Sequence, residues 1–330
     1  MNAHPILRAT AYAAAAAVVL VALPFLGVPA VVLDSISHIA ILGLFATSLN
    51  VLIGQTGMVA FGHAMFYASG AYAFGLLMQT GQWSIPMALA AAVVISAAIA
   101  LVVGLVCTRT KEIYFTFLTL AIQMLFYSAI LSAIPLTGGG QGLMGGFRKP
   151  PILGLDMTNP HVQYGFIVVV AVVVLGALWA LTQTPFGYAL RMIRDNAARV
   201  EFLGMNVTAY RLAAFVIASS AASVAGVLMG LFVSGAYPNF GYWTMSGEAI
   251  FVIMLGSLHA FLGPVAGAVI LTLLNHYVTE FTEHYGLVLG TVIIAYVLGL
   301  RRGLLDVAVD AWRARRPARA PAAAAGRKAA

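Results

Sequence analysis

Between Tyr12 and Cys107 the only charged side chain is Asp34, and between Leu212 and Thr279 it is Glu248. Runs of this kind restrict the fold more than any motif does. Soluble domains carry charge on about a quarter of their residues, whereas this chain carries it on 8% and is 62% hydrophobic. With a mean hydropathy of +0.98 it is an integral membrane protein. Lipid offers no partner to exposed backbone N–H and C=O groups, so spanning segments are helices or closed barrels. The apolar runs lack the in-out alternation of barrel strands, and the expected fold class is an all-α integral membrane protein. The net charge of +7 gathers at span ends and in the C-terminal tail, where lipid headgroups rather than nucleic acid are the expected partner. Cys107 is the single cysteine, which excludes an intrachain disulfide.

Residues 1–30 place Arg8 before an alanine-rich apolar run and read as a first membrane helix, with a cleaved signal peptide as the alternative. A second segment, 36–53, is interrupted by Gly54, Gln55, Thr56 and Gly57, and the third, 58–78, holds Gly62, Gly70 and Gly75 with His63 in its middle. Segments 85–107, 113–134, 162–181 and 212–233 follow, with a glycine-rich connection from Pro135 to Pro160. That connection lacks the lysine and threonine offsets of a phosphate-binding loop. From Ala249 to Val278 the chain stays apolar for thirty residues, about 45 Å of helix and too long for one span without strong tilt. Gly263 and Pro264 break it, so two shorter pieces are expected, which either both cross or dip in and return.

Topology depends on that break. The positive-inside rule puts Arg109, Lys111, the 184–211 stretch and the tail arginines (Arg301, Arg302, Arg313, Arg315, Arg316) in the cytoplasm. This works only if 249–278 enters and comes back. The count is then about ten transmembrane or re-entrant helices with both termini cytoplasmic and the last at 285–300; Arg148 and Lys149 are left outside. The glycine-broken third and eighth segments then run in opposite directions, which is the arithmetic of an inverted repeat. On this reading Gln55, Gly57, Gly62 and His63 are candidates for a substrate pathway, although buried histidines are usually satisfied core groups and His63 would then simply bond a neighbouring helix's exposed carbonyl. His259, His276 and His284 lie too many turns apart for a metal site, so no metal is predicted. Residues 1–303 form one transmembrane domain, and 304–330 form a basic cytoplasmic tail, expected to be partly disordered.

The stretch from Thr184 to Arg211 carries four of the seventeen basic residues. Thr184 suits a helix cap, Pro185 the first helical position and Gly204 a left-handed close. Ile193, Ala197, Val200 and Leu203 fall on one face, with Arg191, Arg194 and Arg199 around the others. Asp195 precedes Arg199 by four residues, the favourable order for an ion pair. A protruding helix with one apolar face is shaped to dock on a partner.

At Ser48 to Tyr72 the chain resembles the permease subunits of branched-chain amino-acid ABC importers, through a glycine-broken segment ending in Gly62, His63, Ala64, Phe66, Gly70, Ala71 and Tyr72. The resemblance continues through Thr137 to Gly142, Pro185 to Gly204 and Ser246 to Gly267, and covers about 36–303. It implies a bacterial inner-membrane importer with a second permease, two cytoplasmic ATPases and a periplasmic binding protein. Cofactor ATP would be bound by those partners and none by this chain, which would not itself be an enzyme. The 184–211 helix would be the element that couples to the ATPase, with Arg191, Ile193, Arg194, Ala197, Val200, Leu203 and Gly204 carrying the contact. Where the family commonly has further glycines before Gly263 and Pro264, this chain reads Gly256, Ser257, Leu258, His259, Ala260, Phe261 and Leu262. Gly256 and His259 therefore join the pathway candidates. The expected cargo is a branched-chain or related amino acid, with urea, short amides or aromatic carboxylates as alternatives carried by relatives. A secondary transporter is the reading from another class; it would need buried ionisable residues as its coupling device, and Glu248 is the main one available. Glu248 joins the candidates on a balance of two roles. Ser246 suits a cap for a helix starting at Gly247, which would put Glu248 at the positive end of a helix dipole. Alternatively the carboxylate sits at the external mouth and takes the cargo's ammonium group or the binding protein.

Overall fold

The computed structural model describes residues 23–281 except 111, 145, 148, 153 and 259, together with the single positions 20, 287, 290, 291 and 294. The expected first helix, the last segment at 285–300, the tail, His259 and His284 therefore fall wholly or mostly outside the described residues. Within them the chain is helical and contains no sheet, only two isolated bridges. Among the described residues nine helices of more than one turn organise it, besides a single turn at Ile134–Thr137: α1 (Ala30–Asn50), α2 (Ala64–Gln79), α3 (Ile85–Cys107), α4 (Glu112–Ser132), α5 (Pro160–Thr182), α6 (Pro185–Phe202), α7 (Val207–Val233), α8 (Trp243–Gly256) and α9 (Gly263–Phe281). Five stretches among the described residues are long and apolar enough to cross a membrane: Ala30–Thr56, Ile85–Cys107, Ile113–Ser132, Pro160–Thr182 and Val207–Val233. α8 and α9 are shorter apolar helices.

α1 and α7 are the most enclosed spans and form the centre of the bundle, while α3, α4 and α5 have about a quarter of their residues buried and form its rim. α3 shows how a rim helix packs. Its buried positions, Ile85, Ala88, Ala92, Ser96, Ala100, Gly104 and Cys107, recur every three or four residues. They form a narrow seam of mostly small side chains, the usual device where lipid gives helices no hydrophobic reason to associate. Gly104 meets Leu212 and Phe215 of α7 there. Val94, Leu101, Val102, Leu105 and Val106 face away from the protein.

The third segment is shorter than the sequence suggests. α1 continues into a π-helical turn, Val51–Thr56, which Gly57 closes in the left-handed conformation at φ +77°. Residues 58–63 are then turn and extended chain, with Thr116 of α4 donating to the Val59 carbonyl (2.9 Å), and helix resumes only at Ala64. The expected break in 249–278 is present, lying between Gly256 and Gly263. α8 and α9 run antiparallel and in close contact: a Cβ at Gly256 would strike the Gly263 carbonyl, and one at Gly267 the Val252 carbonyl. Removing side chains at these positions lets the two backbones approach, so the apolar stretch folds into a hairpin and not into a tilted rod.

Two ends of the bundle can be told apart. One carries α6. The other carries the glycine-rich connection, where Leu143 N donates to the Ala236 carbonyl (2.8 Å) and Lys149 donates to Gln163 (2.8 Å), whose amide in turn reaches the Leu231 carbonyl (2.8 Å). Partial burial there holds the Lys149 ammonium below its ordinary pKa.

Candidate functional site

The polar groups of an apolar bundle show where its helices are interrupted. Gln123, buried at the middle of the 21-residue α4, donates to the Gly241 carbonyl (3.1 Å) and accepts from Ser246 (2.9 Å). Ser246 in turn accepts from the backbone N–H of Ala64, the first residue of α2 (2.9 Å). The N-terminal ends of α2 and α8 therefore meet at the centre of α4. From this junction α2 runs toward the loop end, where Gly75 packs on Phe147 and Leu143. α8 runs the other way, and the turn that follows it brings Leu258 beside Gly54.

Gly62 explains why the junction closes. A Cβ there would overlap the backbone of Thr119 in α4, so the 58–63 loop reaches α4 only because this position lacks a side chain. His63 follows and is fully buried. Its Nε2 lies 2.8 Å from Ser48 Oγ, and its ring stacks on Phe45 with centroids 5.6 Å apart. Ser48 also donates to the Phe45 carbonyl (2.7 Å). With that proton committed, Nε2 is the donor to Ser48 and Nδ1 is a buried acceptor with no partner among the described residues.

Glu248 lies half a turn beyond Ser246 and is partly buried. It sits at the edge of a face of α8 that the rest of the described chain leaves open: a Cβ at Gly247 would meet nothing within 4 Å, and Thr244, Phe251 and Met254 are exposed. No basic side chain among the described residues pairs with it. Two sequence expectations change here. α8 begins at Trp243 and Ser246 does not cap it, because the hydroxyl is spent on α2 and α4. Glu248 also stands near the middle of the bundle instead of at its mouth, because the Pro238–Gly241 turn folds inward onto Tyr67 and Gln123.

The remaining candidates divide between two places. Gln55 and Gly57 lie at the α6 end, where Arg191 reaches Gln55 Oε1 (3.4 Å) and Arg194 donates to the Gly54 carbonyl. Gly256 belongs to the α8–α9 hairpin. In α6, Thr184 caps by accepting from Gly187 N–H (3.4 Å), and Gly204 closes the stretch at φ +83°. The helix is not continuous, however. Asn196 leaves helical geometry and its side chain accepts from Arg199 N–H (2.9 Å), starting a second short helix. The kink separates Asp195 from Arg199, and Asp195 instead pairs with Arg194 (3.3 Å). Ile193 and Val200 are 1% and 3% exposed and pack with Val207, Ala197, Met205 and Tyr210. That face is thus used within the chain, whereas Phe202 and Leu203 are 92% and 72% exposed. Sequence reasoning missed Gln123 and Ser48. An amide in mid-run, as at Gln123, was the available signal.

The chain matches the family model for the permease component of the branched-chain amino acid transport system over residues 31–297. It is 26% identical over 293 residues to the high-affinity branched-chain amino acid transport system permease protein LivM of Salmonella typhimurium, covering 81% of this chain and 67% of that one. It is 23% identical over 248 residues to the corresponding permease protein BraD of Pseudomonas aeruginosa, covering 69% of this chain and 78% of that one. A shorter similarity, 28% over 124 residues, covers 38% of this chain and 37% of the nucleoside ABC transporter permease protein NupC of Lactococcus lactis. No solved structure matches.

Proposed function

Because the chain belongs to the family of permease components of branched-chain amino acid transport systems, we propose that it is the membrane-spanning permease subunit of an ATP-driven importer for branched-chain or related amino acids. Cargo arrives from a periplasmic binding protein and crosses by alternating access. A second permease and two ATPases complete the assembly in the bacterial inner membrane, and ATP is bound by the ATPases. The end carrying α6 is cytoplasmic, as are both termini, and α2 and α8 are the counterparts of an inverted repeat. The exposed Phe202 and Leu203 edge of α6 docks on an ATPase.

The observation that carries this reading is the meeting of two helix N-termini at mid-bundle with Glu248 beside them. Half-helix N-termini in a membrane favour an anionic group, and a carboxylate within the bundle favours a cationic one. Opposite charges so close together suit a zwitterion better than urea, an amide or an aromatic carboxylate. The test is uptake in vesicles containing this chain, its partner subunits and the binding protein. Branched-chain amino acids are expected to compete for uptake, while urea and aromatic carboxylates do not. Uptake is also expected to follow ATP and to survive an uncoupler at constant ATP. Uptake that collapses with the proton gradient would replace this reading with a secondary transporter.

A further inference from the structure

We infer that Arg194 and Arg191 are positioning residues that grip the π-helical end of α1, so that a displacement of α6 passes directly to the α8–α9 turn. The inference rests on the proposed docking of α6 on an ATPase and adds the route by which that docking reaches the bundle. A helix C-terminus leaves carbonyls without intrahelical partners and carries partial negative charge. At the end of α1 these needs are met from α6: Arg194 donates to the Gly54 carbonyl. Arg191 spans Gln55 Oε1 (3.4 Å) and the Thr182 carbonyl at the end of α5 (3.1 Å), with its guanidinium over the Tyr188 ring at 4.5 Å. Gly57, left-handed for closing the turn, also makes room for the arginine stem, since a Cβ there would lie 3.2 Å from Arg194 Cγ.

The other side of the same turn is just as tight. A Cβ at Gly54 would lie 2.8 Å from Asn50 Oδ1 and 2.9 Å from the Leu258 carbonyl. Gly54 is thus held between the arginines of α6 and the tip of the α8–α9 hairpin with no side chain in between. A π-turn is a wider, less regular helix turn often found at functional sites, and here it is the piece both neighbours touch. Guanidinium suits the grip because its planar fork serves several acceptors at once, which a lysine ammonium does less well. The Arg194–Asp195 pair is solvent-facing and adds little. One short element therefore has two faces with separate tasks: Phe202 and Leu203 outward, Arg191 and Arg194 inward.

The experiment uses the full chain assembled with its partner subunits, and compares Arg194→Gln, Gln55→Ala and Phe202→Asp. Gln55→Ala weakens the grip from inside the bundle without altering α6. Both grip variants are expected to co-purify the ATPase at wild-type ratio but to move at least about fivefold less cargo per ATP hydrolysed. Arg194→Lys is expected to recover part of that ratio. Phe202→Asp is expected to lose the ATPase. A second measurement needs no partner: Leu258→Cys in a Cys107→Ala background should react severalfold faster with a membrane-permeant maleimide when Arg194→Gln is added. An unchanged cargo-to-ATP ratio in both grip variants, or an unchanged labelling rate, overturns the inference. So does loss of the ATPase from Arg194→Gln with a wild-type Gln55→Ala, since the arginine would then belong to the docking face. An ATPase retained by Phe202→Asp would instead overturn the docking reading, and the labelling rate would still decide the grip.

Discussion

α2 and α8 begin at the same point and end up in different surroundings. Each is a short helix whose first turn is tied to the middle of α4, through Ala64 N–H to Ser246 in one case and Ser246 to Gln123 in the other. α2 is then almost wholly buried, with Ala64, Phe66, Tyr67, Ala68, Ala71 and Phe74 enclosed by α3, α7 and the Pro238–Gly241 turn. α8 keeps one side against α9 and leaves Thr244, Gly247, Phe251 and Met254 open, with Glu248 at their edge. On that open side the difference is in the glycine. Gly62, Gly70 and Gly226, on and around α2, each stand where a Cβ would strike backbone, so they draw helices together. Gly247 stands where a Cβ would strike nothing, so packing gives no reason for it. A broken helix can therefore seal a bundle or line a space, and the surroundings of its glycines tell which.

The sharpest way to break the comparison is at Gly62. Gly62→Leu must push the 58–63 loop off α4, separating Ala64 from Ser246. Overpacking of this kind costs typically about 1–3 kcal/mol, occasionally more, and we expect uptake to be lost with a lowered melting temperature in detergent. Normal uptake and melting would show that the approach to Thr119 is incidental.

Ser246→Ala should come next in size. The substitution removes a hydroxyl that serves both helices and leaves the Ala64 N–H and one lone pair of Gln123 buried without partners, at about 1–3 kcal/mol for each unsatisfied group. Ser246→Thr keeps the hydroxyl and should restore most of the stability if there is room for the methyl. If Ser246→Ala melts like the wild type, α2 and α8 are not joined by this bond.

Much of the seal was legible in the sequence and little of the opening was. Glycine-broken segments, an interruption at 54–57, a break within 249–278 and the caps of α6 follow from local chemistry: Thr184 and Gly204 act as their residue types suggest. What could not be read was which face of a nearly uniform apolar helix meets protein. In α6 the stripe Ile193, Ala197, Val200 and Leu203 reads as one apolar face, but the kink at Asn196 folds its first three members onto Val207 and Tyr210. Leu203, the last member of that stripe, is left exposed beside Phe202, which the periodicity does not single out. Ser246 misled for the same reason. Its spacing before Glu248 suits a cap, and only the tertiary approach of Ala64 and Gln123 assigns the hydroxyl elsewhere.

Glu248→Gln tests the open side. Shape and most hydrogen-bonding capacity are kept while the charge goes, so stability is expected to change little or rise, because a carboxylate in a membrane is costly. Uptake of an amino acid should fall severalfold at normal protein level if the carboxylate holds the cargo's ammonium. Wild-type uptake would leave Glu248 without a role in the path.

Gly247→Ala should have the smallest effect, and its sign is the informative part. Glycine inside a helix is less favourable than alanine by roughly 0.5–1 kcal/mol, mainly through backbone entropy, and the added methyl meets no atom within 4 Å. The variant should therefore melt slightly higher than the wild type, the opposite of Gly62→Leu. If the open face of α8 lines the path, uptake should nevertheless drop or change its preference among branched-chain side chains, because the methyl occupies space that cargo needs. A more stable variant with altered cargo preference would mark this face as lining the path. A more stable variant with unaltered uptake would mean that this side of α8 faces lipid, and a less stable one would mean that another subunit packs against Gly247 as closely as Thr119 packs against Gly62.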